Sequence, residues 1–206
     1  MGHVGKMIRW TRTGGREGMP VVVSFYTGGL YARDAYELAR SCDAHGLDYD
    51  IRQVPDLRDW RRNTSFKPTF LREVAAEYPR RALLWLDADA RVRKDPCLFD
   101  GFRADLAYHA LGGHHALSGT VFLGAGPRRD EFLARWQAEC AVAAYVLDQE
   151  AMEKAAKALG IQNAGLPVEY TWIWDFDGGE RAKPVEAIID RPVIEHMQAS
   201  RWARNR

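Results

Sequence analysis

Cysteine is scarce in this sequence: Cys42, Cys97 and Cys140 are the only three among 206 residues. An odd number with no CxxC-type spacing argues against both a disulfide framework and a cysteine zinc site, so the thiols read as reduced. No apolar run approaches the roughly 20 residues that a membrane span requires. Residues 1–20 are basic and glycine-rich and lack the apolar segment of a signal peptide. Met1-Gly2 is no myristoylation signal either, because Lys6 stands where Ser or Thr is wanted. There is no internal repeat, no low-complexity stretch and no GxGxxG. These absences lead to the expectation of a soluble, cytoplasmic protein with no membrane partner.

What is present suffices for one core. A chain of 206 residues with 47% hydrophobic and 11% aromatic content can offset the entropy of ordering one compact domain, but it is short for two. The net charge of +1 conceals a segregation. Residues 1–18 hold Lys6, Arg9, Arg12 and Arg16 against Glu17, and residues 191–206 hold Arg191, Arg201, Arg204 and Arg206 against Glu195. Each end thus carries +3, leaving 1 − 6 = −5 for the middle. Such ends suit a polyanion-facing surface, or simply solvation.

Along the chain, Val21 to Tyr26 is β-branched and aromatic, and Thr27-Gly28-Gly29 turns it into a helical period at Ala35, Leu38, Ala39 and Cys42. A strand is expected at 49–54 and a helix at 68–78, with Pro68 in its first turn. The continuous apolar run 82–86 reads as a strand buried on both faces. Further strands are expected at 105–109, 119–123 and 185–189, and helices at 130–146 and 149–159. This alternation predicts βαβ units, with a ligand crevice at the carboxyl ends of the strands.

Asp87-Ala88-Asp89 lies at such an end. Two carboxylates so close repel one another and lose hydration unless something compensates. A divalent cation, Mn²⁺ or Mg²⁺, does so with oxygen ligands, diphosphate oxygens filling its other positions. The competing explanation is two Asp residues capping a turn.

The stretch Phe66-Lys67-Pro68-Thr69-Phe70-Leu71, a helix, and then Leu83 to Val92 around Asp87-Ala88-Asp89 resemble the heart of the GT-A glycosyltransferases. Three later segments extend the resemblance in order. Ser118-Gly119-Thr120-Val121-Phe122-Leu123 is similar to an acceptor-side strand, Asp148-Gln149-Glu150 to an Asp-Gln segment, and Glu195 to Arg201 to a C-terminal segment whose His completes a metal shell. The resemblance implies an α/β, GT-A-like (Rossmann-related) single domain over 1–206, with a mostly parallel central sheet flanked by helices.

It further implies Asp87, Asp89 and His196 as metal ligands, with a nucleotide-sugar donor, a UDP-sugar, as co-substrate. Thr27 and Gly28 would edge the donor site, beside Ala88. Lys67 and Arg201, and less favourably Arg72, would pair with diphosphate oxygens. Asp148 would act as general base at the acceptor hydroxyl or stabilise an oxocarbenium-like state, unless it only caps the helix that follows. His196 competes with the reading of a surface histidine, and His114 and His115 with that of a loop. Tyr170, Trp172, Trp174 and the acidic 175–177 suit an acceptor cleft or core packing.

The function implied is metal-dependent transfer of a sugar to an acceptor hydroxyl. The basic ends admit a hydroxylated base in DNA of the kind that bacteriophages modify, which for a phage protein means the host cytoplasm. The alternatives are another metal-dependent phosphate enzyme, such as a nucleotidyltransferase, or a non-catalytic nucleic-acid-binding module.

Overall fold

The computed structural model describes residues 7–112, 115–142, 147–173 and 192–199. Its centre is a six-stranded sheet in the order β1-β3-β2-β4-β7-β6, formed by β1 (Arg9–Arg12), β2 (Val21–Tyr26), β3 (Tyr49–Gln53), β4 (Leu83–Leu86), β6 (Leu106–Leu111) and β7 (His115–Leu123). A three-stranded sheet, β5-β9-β8, joins β5 (Ala90–Val92), β9 (Ile194–His196) and β8 (Trp172–Ile173). The helices are α1 (Leu30–Ala44), α2 (Trp60–Ser65), α3 (Lys67–Glu77), α4 (Pro127–Val142) and α5 (Asp148–Ala158).

Four of the six central strands, β3, β2, β4 and β6, run the same way, while β1 and β7 oppose them. The expected common direction therefore holds for most strands, but only two of the five pairings are parallel. The sheet is mixed because β7 inserts between β4 and β6.

β2 and β4 are buried along almost their whole length, as their unbroken apolar runs require of strands covered on both faces. Alternate side chains divide the core. Val22, Leu84, Phe122 and Ile51 pack with Ala35, Leu38, Ala39 and Cys42 of α1 on one face. Val21, Val23, Leu83, Trp85 and Val121 pack with α3, α4 and α5 on the other. α1 ends in a Schellman turn, where Leu47 N–H donates to the Cys42 carbonyl (3.0 Å), Gly46 N–H donates to that of Asp43 (3.1 Å) and Gly46 adopts φ 65.

β2 pairs with β3 on one side and β4 on the other, both parallel, so the chain reverses its winding at β2. Crevices in such sheets open at the carboxyl ends flanking this switch point. Thr27 follows β2 there, and Asp87 follows β4.

Several expectations are revised. Residues 9–12, taken only as part of a basic segment, form edge strand β1, whose Trp10 stacks on Tyr26 with ring centroids 5.1 Å apart. Helix α2 and strands β5, β8 and β9 were not foreseen, because elements of two to six residues carry too little periodicity to register. The helix expected over 130–146 begins at Pro127 and is described to Val142. The strand expected at 185–189 lies outside the described residues.

One charge cluster, built around a fully buried carboxylate, is structural. Arg9 and Arg52 each donate at 2.6 Å to Asp50, whose side chain is fully buried, and both also reach Glu77. Burial opposes ionisation of Asp50, but the Arg52 and Arg9 guanidiniums overcome this and hold its carboxyl below the ordinary range. A depressed folded-state pKa stabilises fully above the unfolded value of about 3.9, and the contribution is lost as pH falls through the folded value. Asp50→Asn, which leaves the two guanidiniums only the half-exposed Glu77 as counter-ion, is expected to lower the unfolding free energy at pH 7 by about 3 kcal/mol. Urea unfolding as a function of pH should also show a shallower acid limb for the variant than for the wild type.

Candidate active site

The sheet carries its site at the carboxyl end of β4. Asp87 leaves the strand with its N–H donated to the Gly119 carbonyl (2.9 Å), and Ala90 N–H returns to the Asp87 carbonyl (2.8 Å), closing a tight turn around Ala88 and Asp89. Trp85, two residues earlier on the same face, donates its indole N–H to Asp87 Oδ1 at 2.9 Å. β9 then brings His196 opposite Ala90.

Ligand atoms of Asp87, Asp89 and His196 all lie within 4.8 Å of one another. His196 Nε2 is hydrogen-bonded to the Thr120 hydroxyl at 2.8 Å, which leaves Nδ1 facing Asp89 Oδ1 at 3.8 Å. Burial opposes ionisation of Asp89, while His196 and the Ala199 N–H, 2.8 Å from Oδ2, hold its carboxyl below the ordinary value.

The donor set fits a divalent cation by two observations. Two carboxylates and an imidazole oriented by a second partner are a recurrent set for a metal that accepts nitrogen as well as oxygen. Space is also kept open for them: a Cβ on Gly119 would lie 3.0 Å from His196 Cε1 and 3.3 Å from Asp87 Oδ2.

A second cluster adjoins this triad. Lys67 opens α3 yet is only 3% exposed. Its ammonium donates to the Ser118 carbonyl (3.0 Å) and hydroxyl (3.2 Å), and it pairs with Asp148 (2.8 Å) and Asp87 (3.3 Å). It also stands 5.1 Å from the centre of the Trp85 ring. Burial pulls the Lys67 pKa down, and the Asp148 and Asp87 carboxylates more than reverse this, leaving it above the ordinary lysine value. With its hydrogens committed inside the protein, Lys67 enters the site as the counter-ion of two carboxylates rather than as a group extended toward a diphosphate.

Asp148 is the first residue of α5, but its side chain does not cap the helix. It turns inward, 6% exposed, and accepts from the Ser118 hydroxyl at 2.8 Å as well as from Lys67. Ser118 reaches this position because the β6–β7 register slips: Tyr108 pairs with Val121 and His109 with Leu117, so residues 118–120 bulge out of the ladder with β6.

A cavity of about 330 Å³ connects the two clusters. Tyr26, Thr27, Lys67, the Asp87-Ala88-Asp89 turn, Ser118, Asp148 and His196 line it, as do Trp60, Gln149 and Thr171. Gly28 and Gly29 adopt φ 99 and 59 between Thr27 and α1, backbone that other residues enter at a cost.

Other expected residues fall elsewhere. Arg72 points to Gln137 of α4. His115 is exposed at the start of β7, and Tyr170 belongs to the core, its hydroxyl accepting from Leu98 N–H at 3.2 Å. Arg201, His114, Trp174 and 175–177 lie outside the described residues. Trp85, Thr120, Tyr26 and Thr171 were missed. Their only signal was position beside a motif, and any strand residue has the same.

No family model matches the sequence, and no curated protein matches it significantly. Solved structures match its fold. A glycosyltransferase involved in glycosylation of the major capsid of PBCV-1 is similar with a TM-score of 0.68, at 17% identity over 90% of this chain and 97% of that one. The apo-form glycosyltransferase GlyE of Streptococcus pneumoniae TIGR4 is similar with a TM-score of 0.58, at 16% identity over 86% of this chain. The chain spans about half of GlyE, 54% of its length. These likenesses establish a glycosyltransferase fold.

The ion cluster yields a direct test. Lys67→Met, which leaves Asp148 and Asp87 to repel each other, is expected to cost about 3–5 kcal/mol of stability. Adding Asp148→Asn should recover part of that loss, a coupling above about 1 kcal/mol. Urea unfolding of the four proteins of the cycle measures it, and additive losses would remove the pair from the account of the site.

Proposed function

We propose that the protein is a metal-dependent glycosyltransferase that moves a sugar from a nucleotide-diphosphate sugar, a UDP-sugar, to an acceptor hydroxyl. The observation that carries this reading is the convergence of Asp87, Asp89 and His196 beside the Lys67–Asp148–Ser118 cluster in one cavity. The fold shared with glycosyltransferases supports it. Asp87, Asp89 and His196 would hold Mn²⁺ or Mg²⁺, which supplies Lewis-acid stabilisation of the charge on the leaving diphosphate.

The protein's own groups orient the other half of the reaction. Asp148 receives hydrogen bonds from Lys67 and Ser118 at one oxygen. Asp148 is thereby committed as the counter-ion of a buried ammonium. This favours Asp148 as a fixed carboxylate that accepts from sugar hydroxyls and stabilises positive charge developing on the sugar ring, over Asp148 as the base that removes the acceptor's proton.

The DNA acceptor suggested by the basic ends loses one of its two supports. Arg9 pairs with Asp50, Arg12 with Asp43 and Arg16 with Asp95, so the three arginines of that segment are balanced within the fold. The hydroxylated-base reading rests on the C-terminal arginines, and it predicts transfer to hydroxymethylated DNA that falls steeply with salt.

Calorimetric titration of UDP tests the donor site. Binding is expected with Mn²⁺, none is expected in Asp89→Ala, and Gly119→Ala, whose Cβ crowds His196, should weaken it at least about tenfold. Absence of metal-dependent binding by UDP and by every other nucleoside diphosphate would sink the proposal.

A further inference from the structure

The stretch from Pro55 to Arg62 is exposed at every residue, and α2, which it enters, buries none of its own. Trp60 is 39% exposed and belongs to neither apolar core. It lines the cavity instead, as do Asn63 and Thr64, which stand three and four residues on and so on the same face of the helix. The backbone that carries it is braced. Asn63 Oδ1 accepts from Leu57 N–H at 2.9 Å, and the Asn63 amide donates to Asp56 at 2.9 Å. Asp56 also accepts from Arg58 N–H, and Asp59 from Arg62 N–H, both at 2.8 Å. These bonds hold Arg58 at φ 56, backbone that a side chain enters at a cost. An indole is thus presented to the cavity on a fixed support, at a place where core packing does not call for one.

Connectivity and charge indicate what it meets. α2 leads into α3, whose first residue is Lys67, and contacts α5, whose first residue is Asp148. Trp60 is therefore carried by elements that adjoin the Lys67–Asp148 cluster, and the acceptor must reach the sugar ring that Asp148 serves. Among the described residues lining the cavity, Lys67 is the single lysine or arginine, and its ammonium is committed to Asp148 and Asp87. Arg58, Arg61 and Arg62 flank Trp60 without lining the cavity, and Asp56 and Asp59 stand among them. A run of phosphates finds no uncommitted counter-charge in this described wall. A neutral ring needs none.

We propose that Trp60 is the acceptor platform and that the acceptor is a neutral saccharide whose C–H face stacks on the indole. A pyranose carries hydroxyls around its rim and C–H bonds on its faces, so stacking on an aromatic ring leaves the hydroxyls pointing sideways, where one can meet the donor sugar. Thr64 donates its hydroxyl to the Arg61 carbonyl at 3.0 Å, and its oxygen retains the capacity to accept from a sugar hydroxyl. In the transfer the acceptor oxygen bonds the anomeric carbon, the bond from that carbon to the diphosphate breaks, the diphosphate leaves with the electron pair, and the acceptor's proton is released. The inference rests on the transferase function proposed above and names its acceptor.

Saturation-transfer NMR on the protein with Mn²⁺ and UDP tests it. The probes are the methyl glycosides of glucose, galactose, mannose, fucose and N-acetylglucosamine, and a short single-stranded oligothymidylate. At least one glycoside should receive saturation at its ring C–H protons. Its dissociation constant should rise about tenfold in Trp60→Ala and stay near the wild-type value in Trp60→Phe. UDP affinity and the urea midpoint should hold in both variants, because Trp60 lies outside the core and the donor groups. Absence of saturation on every glycoside, equal glycoside affinity in wild type and Trp60→Ala, or loss of UDP affinity in Trp60→Ala overturns the assignment while the donor site stands. Oligothymidylate binding that depends on Trp60, with no glycoside bound, overturns it in favour of a nucleic-acid acceptor. Failure of the wild type to bind any nucleoside diphosphate overturns the assignment together with the function it rests on.

Discussion

An ammonium taken out of water needs counter-charge, and at the carboxyl end of β4 that demand falls on Lys67. The cost of burying an unpaired cation is several kcal/mol, so the surrounding elements are arranged to meet it. α5 offers Asp148 from its first turn, β7 offers the carbonyl and hydroxyl of Ser118, and β4 offers Asp87. Four elements distant in the chain are thereby tied to one point. Asp87 also belongs to the Asp87/Asp89/His196 triad, so the ionic cluster and the cation-fitting cluster share a side chain and cannot be repositioned independently.

Two departures from a regular sheet make this possible. The bulge at 118–120 frees β7 from β6 where it passes the end of β4, which lets Ser118 face Lys67 and lets Gly119, without a Cβ, sit against His196 and Asp87. The small second sheet then returns the chain from far along the sequence, so that β9 delivers His196 beside Asp89. An unbroken ladder would have turned residues 118–120 alternately to the two faces and left the edge without these donors.

Polar groups in this fold divide into committed and uncommitted ones. The arginines of the N-terminal segment are matched by Asp50, Asp43 and Asp95, Arg129 is spent on the carbonyls of Ala75 in α3 and of Tyr78 and Arg81 beyond it, and Lys67 is enclosed by acceptors. Against that background the unpaired hydroxyls of Tyr26 and Thr171 stand out.

Much of this was legible in the sequence. The apolar runs 21–26 and 83–86, the i, i+3, i+4, i+7 stripe of α1 and Pro68 at the head of α3 determine local structure through burial and backbone preference, and short-range physics of this kind is written in consecutive residues. The Asp87-Ala88-Asp89 turn at a strand end, with Ser118, Asp148 and His196 in order behind it, named residues that the fold brings to one cavity. What the tertiary structure alone decided is how those groups face each other. That Lys67 serves as a counter-ion, that Asp148 turns inward instead of capping α5, that residues 9–12 form a strand and that Tyr26 and Thr171 keep hydroxyls unpaired depend on register, on a bulge and on contacts between residues up to 110 positions apart, as in the Ala199 N–H on Asp89. Such distances are set by the packing of whole elements, and no window of sequence contains them.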